Sequence, residues 1–350
     1  MLRILFVDSG IGGIAERYAY DIHSTLQNNY ICNVRRIHPK LLNREVFRSF
    51  RPDVMLVIHG THTPRAAVEY ARNLNATTVL WIVEDPYEID HHRGEMVEPY
   101  HYVFTNERQA VLQYRRPFVY YLPWCCNPRV HRRVESDREY QSDLCFVGMG
   151  FPNRLTIMNE LVERLPMLKY RLIGDWSQWG ELHPTLKTAV QPTMANYWEI
   201  QRYYNGAKIN LNIHRDPADP PSGNMLNIGA TSPNDRLFAL AGCGAFQIVD
   251  STRPDLWDCF LKDTEVITFG AVNELTEKVR YYLSSPKRQT IAENAQNRAY
   301  RDHTYNRRLE TIFRIINKPL SPYAVHNNMR KGSLNEKLNY SPVFKRVFHT

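Results

Sequence analysis

The stretch TSPNDRLFALAGCGAFQIVD, residues 231–250, contains the start of a helix, the end of that helix and a buried strand. Ser232 is placed to cap the helix, and Pro233 suits its first position because an N–H there needs no intrahelical partner. Gly242 and Gly244 end the helix, and the apolar run AFQIV follows at once. A helix that leads directly into a buried strand is the repeating unit of a parallel α/β sheet, so this stretch predicts that fold class.

Short apolar runs rich in β-branched and aromatic residues recur along the rest of the chain. They are ILFV at 4–7, VMLVI at 54–58, TVLWIV at 78–83, YVFT at 102–105, FVYYL at 118–122, LCFVG at 144–148, YRLIG at 170–174, KINLNI at 208–213 and EVITF at 265–269. Helical segments separate them, including residues 64–74, 195–204 and 272–317. This alternation predicts doubly wound parallel sheets.

The alternation is interrupted once, at residues 127–142, where the chain is polar and charged as in a linker. We therefore predict two Rossmann-like domains, 1–126 and 143–317, that face a central cleft. Residues 318–350 show no clear periodicity and form a tail that is either basic and free or wrapped onto the first domain. Ligands of such sheets bind outside the carboxyl ends of the strands, so the loops after the strands are the candidate sites.

The composition is that of a soluble globular protein. Of 350 residues, 43% are hydrophobic and 23% are charged, and no apolar run approaches the roughly 20 residues that cross a bilayer. The N-terminus MLRILFVDSG lacks a signal-peptide pattern. Six irregularly spaced cysteines indicate reduced thiols in a cytoplasmic protein. The absence of CxxC and HExxH motifs predicts no metal site, and we expect no bound cofactor.

The formal net charge of +8 favours anionic partners. Basic residues cluster in RRPFVYYLPWCCNPRVHRR, residues 115–133, without a carboxylate among them. The cluster comprises Arg115, Arg116, Arg129, Arg132 and Arg133. Either it is a solvated surface, or it forms a groove for a phosphate-bearing ligand, a nucleotide or a polynucleotide.

Two loops of the first domain carry candidate residues. DSGIGGIAERY places Gly12, with its neighbours Gly10 and Gly13, between a strand and a helix, where backbone approaches a ligand closely or simply turns. EDPYEID places Glu84 and Asp85 after a strand. Asp85 is the candidate general base toward an acceptor hydroxyl, and its alternative role is to cap the following turn.

Two loops of the second domain carry candidate anion ligands. FVGMGFPNRLTI places Gly148 and Arg154 between a strand and a helix, so that backbone amides and a guanidinium can bind phosphate oxygens. In the stretch 231–250, Arg236 lies in the first helical turn, where the helix dipole opposes a positive charge. An anion held by the helix amides and Arg236 reverses that penalty, and so does a neighbouring carboxylate such as Asp235.

Over residues 4–316 the sequence resembles the CgeB-like, or spore-maturation-type, glycosyltransferases of the two-domain GT-B superfamily. The resemblance is carried by the order and spacing of LWIVEDPYE, YVFTNERQAVLQY, YLPWCCNP, DLCFVGMGFPNR, KINLNIHR, NDRLFALAGCGAFQIVD and YYLSSPKRQTIAENAQNRAYRDHTY. The chain is more faintly similar to phage glucosyltransferases that modify DNA bases.

This resemblance implies a metal-independent hexosyltransferase that moves a sugar from a nucleotide-sugar, usually a UDP-sugar, to an acceptor hydroxyl. It implies that Arg154 and Arg236 bind the donor diphosphate and that Ser232 and Asn234 present the helix N-terminus to it. Asp85 matches the catalytic carboxylate of the DNA-base enzymes. Further donor contacts are expected from Gly12, Gly148 and His214. The acceptor is a protein, a glycan or modified DNA.

The sequence departs from the family at one position. The family pattern R-x-F-E places a glutamate one helical turn after the arginine, whereas this chain has RLFA, with Ala239 in that place. A different sugar or ribose contact, a compensating residue elsewhere, or lost activity each explains the change. The alternatives to a general glycosyltransferase are therefore an enzyme acting on hydroxymethylated DNA bases and a nucleotide-sugar-binding protein that has lost transfer.

Overall fold

The structure is a computed structural model that describes residues 1–192 and 196–323. Within these ranges the strands form two six-stranded parallel sheets, called here the N-terminal and the C-terminal sheet. The N-terminal sheet contains β1 (Leu2–Val7), β2 (Cys32–Ile37), β3 (Val54–Ile58), β4 (Thr77–Ile82), β5 (Tyr102–Thr105) and β6 (Val119–Tyr121). The C-terminal sheet contains β7 (Ser142–Val147), β8 (Tyr170–Ile173), β9 (Val190–Gln191), β10 (Ala207–Asn212), β11 (Gln247–Asp250) and β12 (Ile267–Phe269).

Helices connect the strands and cover the sheets. The α-helices of the described ranges are α1 (Ile14–Asn29), α2 (Arg44–Phe50), α3 (Arg65–Asn73), α4 (Ile89–His92), α5 (Pro152–Arg164), α6 (Pro184–Lys187), α7 (Ile200–Gly206), α8 (Asp235–Gly242), α9 (Leu256–Cys259), α10 (Val272–Ser284), α11 (Lys287–Asp302) and α12 (Tyr305–Ile315). Short 3-10 helices occur at Pro39–Leu41, Gly94–Met96, Arg108–Tyr114 and Arg138–Tyr140.

In each sheet the strand order reverses at one point, where the chain crosses to the other side of its first strand. The N-terminal order is β2-β1-β3-β4-β5-β6, and the C-terminal order is β12-β11-β10-β7-β8-β9. Ile4 of β1 pairs with Val34 of β2 and with Val54 of β3, all in parallel register. In the C-terminal sheet the reversal falls between β7 and β10, and the crevice beyond their carboxyl ends is where such sheets bind ligands. The predicted α/β, doubly wound fold is confirmed.

The last described helix crosses back to the N-terminal sheet. Leu309, Ile312 and Phe313 of α12 are fully buried in the same core as Ile4 and Phe6 of β1 and its neighbours. The chain then continues along the same face, because Ile31 N donates to Ser321 O at 2.8 Å. The described start of the predicted tail, residues 318–323, therefore lies against the N-terminal sheet, and residues 324–350 lie outside the described residues.

Two local predictions need correction. The cap of α8 is Asn234, whose Oδ1 accepts from Leu237 N at 3.1 Å, and not Ser232. Ser232 is excluded from this role because its hydroxyl instead donates to Asp255 Oδ2 at 2.9 Å. The helix expected at 195–204 is Ile200–Gly206 in the structure, and residues 193–195 are outside the described ranges.

Three further features concern the predicted linker, the cysteines and membrane-spanning helices. Within the predicted linker 127–142, Asn127 and His131 are buried, and Asn127 Nδ2 donates to Asp21 Oδ1 at 2.6 Å. All six cysteines are free thiols. In the part of the chain that is described, no helix has both the length and the apolar character needed to cross a membrane.

Candidate functional site

A cavity of about 80 Å³ lies between α1 and α8. The helix α1 belongs to the N-terminal unit, by which we mean the N-terminal sheet and the helices that connect its strands, and α8 belongs to the corresponding C-terminal unit. Of the predicted site residues, Gly148 and Arg236 line it, and so does Ala239. Gly148 follows β7 at the point where the C-terminal sheet reverses its winding. The cavity therefore lies where the fold predicts a ligand site.

Gly148 and Arg236 are in close contact across this cavity. Gly148 has φ 147°, and a Cβ added there would come within 2.5 Å of Arg236 Nη2. The Arg236 guanidinium carbon also lies 4.6 Å from the centre of the Phe146 ring. A glycine is therefore required at 148, both for its backbone conformation and for the space that Arg236 occupies.

The side chain of Arg236 is held by Asn212, which also binds the cap residue of α8. Asn234 Nδ2 donates to Asn212 Oδ1 at 2.9 Å, and Arg236 Nη1 donates to the same oxygen at 3.2 Å. Asn212 is the last residue of β10. The predicted residues Asn234 and Arg236 are thus joined through Asn212, which the sequence analysis did not identify.

Arg154 is buried directly behind Arg236. Its Nε donates to Ile213 O at 3.0 Å and its Nη1 to Met149 O at 2.9 Å. Burial, together with the nearby Arg236, holds the pKa of Arg154 well below its ordinary value. Two cations placed side by side in a buried region are costly unless an anion compensates them.

The structure adds Arg215 and Arg253 to the two predicted arginines. The guanidinium groups of Arg236, Arg154 and Arg215 alternate with aromatic rings. Arg253 completes the row, because its Nη2 lies 3.5 Å from the hydroxyl of the last ring, Tyr87. In spatial order the stack contains Arg236, Phe146, Arg154, Phe151, Arg215, Tyr87 and Arg253, and we call it the arginine–aromatic stack. Tyr87 follows β4, so the stack reaches from the C-terminal sheet to the N-terminal sheet.

Among the described residues, the arginines of the stack have no carboxylate partner. Among residues 1–192 and 196–323, no Asp or Glu oxygen lies within the 4.0 Å of an ion pair from any of the four guanidinium groups. The buried Nε atoms of Arg215 and Arg253 also find no hydrogen-bond acceptor in those ranges. Since buried charges in proteins are normally paired, this arrangement is suited to an anionic ligand.

His214 borders the stack at the carboxyl end of β10. Its ring is 2% exposed, and Nδ1 lies 2.8 Å from Asp250 Oδ2. Burial lowers the pKa of His214, so the ring is neutral at neutral pH, with Nδ1–H donating to Asp250. Nε2 then carries a lone pair and has no partner among the described residues. It is able to accept a hydrogen bond from a hydroxyl group of a ligand.

The two carboxylates after β4 have different surroundings. Asp85 is buried inside the N-terminal unit, where Thr105 and Tyr114 each donate a hydroxyl to Oδ2 at 2.6 Å and His92 Nδ1 lies 3.0 Å from Oδ1. The structure therefore places the predicted catalytic carboxylate away from the cavity.

Glu84 is part of the electrostatic environment of the cleft. Burial, followed by the neighbouring carboxylates Glu88 and Asp235, raises the pKa of Glu84 to about 8, and Arg215 opposes the shift. Burial, followed by Asp235 and then Glu84, raises the pKa of Tyr18, whose hydroxyl donates to Asp235 Oδ2 at 2.9 Å. Tyr18 and Asp235 both line the cavity, so Glu84 acts electrostatically on two residues of its lining.

Ser232 lies in a buried connection between the two units. Its backbone N donates to Glu107 Oε2 at 3.1 Å, and its hydroxyl accepts from Arg108 N at 3.1 Å. Thr231 N and Oγ1 also donate to the Glu107 carboxylate. The loop before α8 is thus bound by a carboxylate of the N-terminal unit, which the sequence analysis missed because the contact joins residues more than a hundred positions apart.

The remaining predicted residues lie outside the cavity. Gly12 is in the exposed loop before α1, with open space around the position of a Cβ. In the basic cluster at 115–133, Arg133 forms an ion pair with Glu293 at 3.3 Å, and Arg116 donates to the carbonyls of Val97 and Tyr100. Arg116 and Arg133 are therefore engaged in contacts within the protein, and neither belongs to the stack.

Ala239 lines the same cavity as a carboxylate from another helix. Ala239 is buried, and Asp21 of α1 lines the same cavity. Asp21 Oδ1 accepts from Asn127 at 2.6 Å, and the hydroxyl of Tyr197 also donates to this carboxylate. Burial raises the pKa of Asp21 to about 7, although these donors oppose the shift.

Comparisons with known proteins agree with this architecture. Residues 154–314 match the protein family described as glycosyl transferase-like. Over 300 residues the chain is 27% identical to the spore protein CgeB of Bacillus subtilis (strain 168), covering 83% of this chain and 91% of CgeB.

Solved structures share the fold at low sequence identity. HepE of Anabaena, solved in complex with UDP-glucose, has a TM-score of 0.60 and 13% identity, covering 91% of this chain and 100% of HepE. Sucrose-phosphate synthase of Thermosynechococcus elongatus has a TM-score of 0.58 and 10% identity, covering 91% of this chain and 99% of the synthase. These likenesses confirm the predicted two-sheet arrangement.

Proposed function

We propose that this chain, which is CgeB-like, has the GT-B fold and contains a glycosyl transferase-like region, transfers a hexosyl group from a UDP-sugar to an acceptor hydroxyl. The observation that carries the proposal is the arginine–aromatic stack. Four arginines without an ion-pair partner in the described ranges lie at the carboxyl end of the C-terminal sheet. A diphosphate supplies the negative charge that these groups lack.

The stack accounts for the chemistry that such a transfer requires. When the bond between the sugar and the diphosphate breaks, negative charge grows on the leaving phosphate oxygen. Arg236 lines the cavity, and Arg154 lies behind it. Fixed positive groups in a region shielded from water stabilise that developing charge without reorganisation, which is usually the largest catalytic contribution.

The proposed transfer does not need a metal ion at the diphosphate. In metal-dependent transferases a divalent cation neutralises the phosphates. Here Arg154, Arg215, Arg236 and Arg253 supply that charge. The amide N–H groups at the start of α8 add to it, because the Asn234 cap leaves part of the first turn available.

We assign the acid–base role to Glu84 and a positioning role to Asp85. Glu84 is electrostatically coupled to the cavity residues Tyr18 and Asp235, whereas the Asp85 carboxylate is saturated by donors of its own unit. A carboxylate at this place accepts the proton of the attacking hydroxyl. Asp85 contributes by fixing the loop that carries Glu84.

Two groups are placed to contact the sugar or the ribose. His214 Nε2 lies beside the stack and has no hydrogen-bond partner in the described part of the chain. Asp21 of α1 lies in the cavity with Ala239 and supplies the carboxylate that this position of α8 lacks. We therefore propose that a compensating residue, and not lost activity, explains Ala239.

The test is nucleotide binding and sugar release by the purified full chain. We expect UDP and UDP-sugars to raise the melting temperature, and Arg236→Ala to remove this shift and to lower kcat/KM about 100- to 1,000-fold. Arg280, an exposed arginine of α10, provides the matched control Arg280→Ala. If no nucleotide of a uridine, guanosine, adenosine and thymidine panel stabilises the protein, the proposal fails.

Two outcomes of the same experiment distinguish the alternatives. Binding of UDP-sugars without hydrolysis or transfer to any acceptor would identify a nucleotide-sugar-binding protein. Salt-dependent binding of duplex DNA together with transfer to hydroxymethylated bases would identify a DNA-modifying enzyme.

A further inference from the structure

Three metal-ligating side chains meet at the carboxyl end of the N-terminal sheet. His59 follows β3, whereas Glu88 and His92 come from the segment after β4 and are four residues apart on one helical face. One ligand atom of each residue lies within 4.8 Å of the ligand atoms of the other two. His59 Nε2 lies 3.1 Å from Glu88 Oε2, and His92 Nε2 lies 3.9 Å from the same oxygen.

His92 has the tautomer and orientation of a metal ligand. Its side chain is fully buried, and Nδ1 lies 3.0 Å from the Asp85 carboxylate, which accepts a hydrogen bond from Nδ1–H. This leaves Nε2 as a lone pair, and that atom has no hydrogen-bond partner among the described residues. A buried, unpaired lone pair is costly. A carboxylate that orients a histidine toward an ion is the usual second layer of a protein metal site.

His59 is held in a matching orientation by a strained backbone. It has φ 68°, which is uncommon for a residue other than glycine. Its Nδ1 lies 3.0 Å from Thr61 Oγ1, so Nε2 is the nitrogen directed toward Glu88. The His59 and His92 rings meet edge to face with their centres 5.1 Å apart, which brings the two Nε2 atoms toward one carboxylate oxygen.

We propose that His59, Glu88 and His92 bind a divalent first-row metal ion such as Zn²⁺. Two imidazole nitrogens and one carboxylate oxygen form a donor set that such ions bind in proteins. Ligand atoms around tetrahedral zinc are roughly 3.4 Å apart, so the three atoms need only a modest inward rotation of their side chains.

Three protein ligands leave one position of a tetrahedral ion open. His59 and His92 are almost completely buried, whereas the Glu88 side chain is 41% exposed, so the open position faces the solvent on the Glu88 side. Glu88 also acts electrostatically on Glu84 and Arg215, which places the metal beside the cleft and apart from the cavity at Gly148. The fourth ligand is therefore water or an oxygen of a bound molecule.

This inference is independent of the proposed sugar transfer, so its test uses the metal alone. The full chain is stripped with a chelator, and binding of ZnCl₂ is measured by calorimetry, with CoCl₂ absorption in the visible range as the report of coordination geometry. We expect one equivalent to bind. Glu88→Gln and His92→Ala should each weaken binding at least about 100-fold. His91→Ala is the control, because His91 is an exposed neighbour outside the group.

The half-exposed Glu88 keeps the test decisive if the buried His92 variant does not fold. Asp85→Asn adds a second readout, since loss of the orienting carboxylate should weaken zinc affinity about 10- to 100-fold while one equivalent still binds. Zinc binding that persists unchanged in Glu88→Gln, that is lost equally in His91→Ala, or that does not occur in the parent protein overturns the proposal.

Discussion

Arg236 of α8 occupies the space that a side chain at Gly148 would fill, since an added Cβ would lie 2.5 Å from Arg236 Nη2. The loop after β7 and the first turn of α8 therefore have complementary shapes at this contact. The position of Arg236, which opposes the dipole of its helix when the helix is considered alone, is fixed by this fit and by Asn212.

The first prediction concerns this contact. Gly148→Ala should displace the Arg236 guanidinium and weaken UDP binding about 10- to 100-fold, the effect expected when charge-assisted hydrogen bonds are lost. The measurement is calorimetric titration with UDP. Gly229→Ala serves as the control, because no atom lies within 4 Å of a Cβ at Gly229. Equal affinities of the two variants would remove Gly148 from the site.

The second prediction separates the two carboxylates after β4. Glu84→Gln should lower kcat about 100- to 10,000-fold and leave UDP affinity unchanged, because it removes an acid–base group and no phosphate ligand. Asp85→Asn should instead lower the free energy of unfolding by about 1–3 kcal/mol, since the donors Thr105 and Tyr114 lose a charged acceptor. Steady-state kinetics and urea unfolding test the two variants. Full turnover by Glu84→Gln would contradict the assignment.

The third prediction is a pH dependence of stability. Burial raises the pKa of Asp21 from 3.8 to about 7 in the folded protein, so the folded state binds this proton more tightly than the unfolded state. The resulting stabilisation is complete below pH 3.8 and is lost as the pH rises to about 7. Asp21→Asn should remove this slope, which is at most about 1.4 kcal/mol per pH unit.

The comparison for Asp21 is made by urea unfolding of both proteins between pH 4 and pH 8. The difference in unfolding free energy should change steadily up to about pH 7 and then stay constant. A difference that is the same at every pH would show that Asp21 has an ordinary pKa.

The fourth prediction concerns the connection between the two units. Glu107→Ala should lower the free energy of unfolding by about 2–3 kcal/mol, because buried donors of Thr231 and Ser232 lose their acceptor. Chemical denaturation provides the measurement, and Glu135→Ala, at an exposed position, should change stability by less than about 0.5 kcal/mol. Similar stabilities for the two variants would contradict the role of Glu107.

Most strands are predictable from the sequence because both faces of a parallel sheet are covered. β3 and β5 coincide with the predicted runs at 54–58 and 102–105, since their side chains are almost all buried and therefore apolar. β2 is absent from the predicted strands, because it is an edge strand with alternating exposure and carries Arg35 and Arg36. Local hydrophobicity does not mark such a strand.

The candidate site is only partly accessible to sequence reasoning. Gly148 and Arg236 are identifiable because each stands at a strand or helix end within a recognisable motif. Arg215 and Arg253 lie in irregular loops, and their significance appears only when the fold places Arg215 on the ring of Tyr87 and Arg253 at its hydroxyl. The His59 group is equally hidden, because His59 follows β3 and is separated in sequence from Glu88 and His92, which belong to the cap and the end of α4.

The arginine–aromatic stack also determines the direction from which a ligand can be recognised. Arg154 packs on Phe146 and Phe151, and Arg215 packs on Phe151 and Tyr87, so the hydrogen-bonding edges of these two guanidinium groups are what remain for contact. Oxygen atoms must then approach in the plane of each guanidinium, as in two-point carboxylate or phosphate binding. At Arg154 and Arg215 the same packing that allows the charges to be buried leaves no face for a planar cation or a hydrophobic ring.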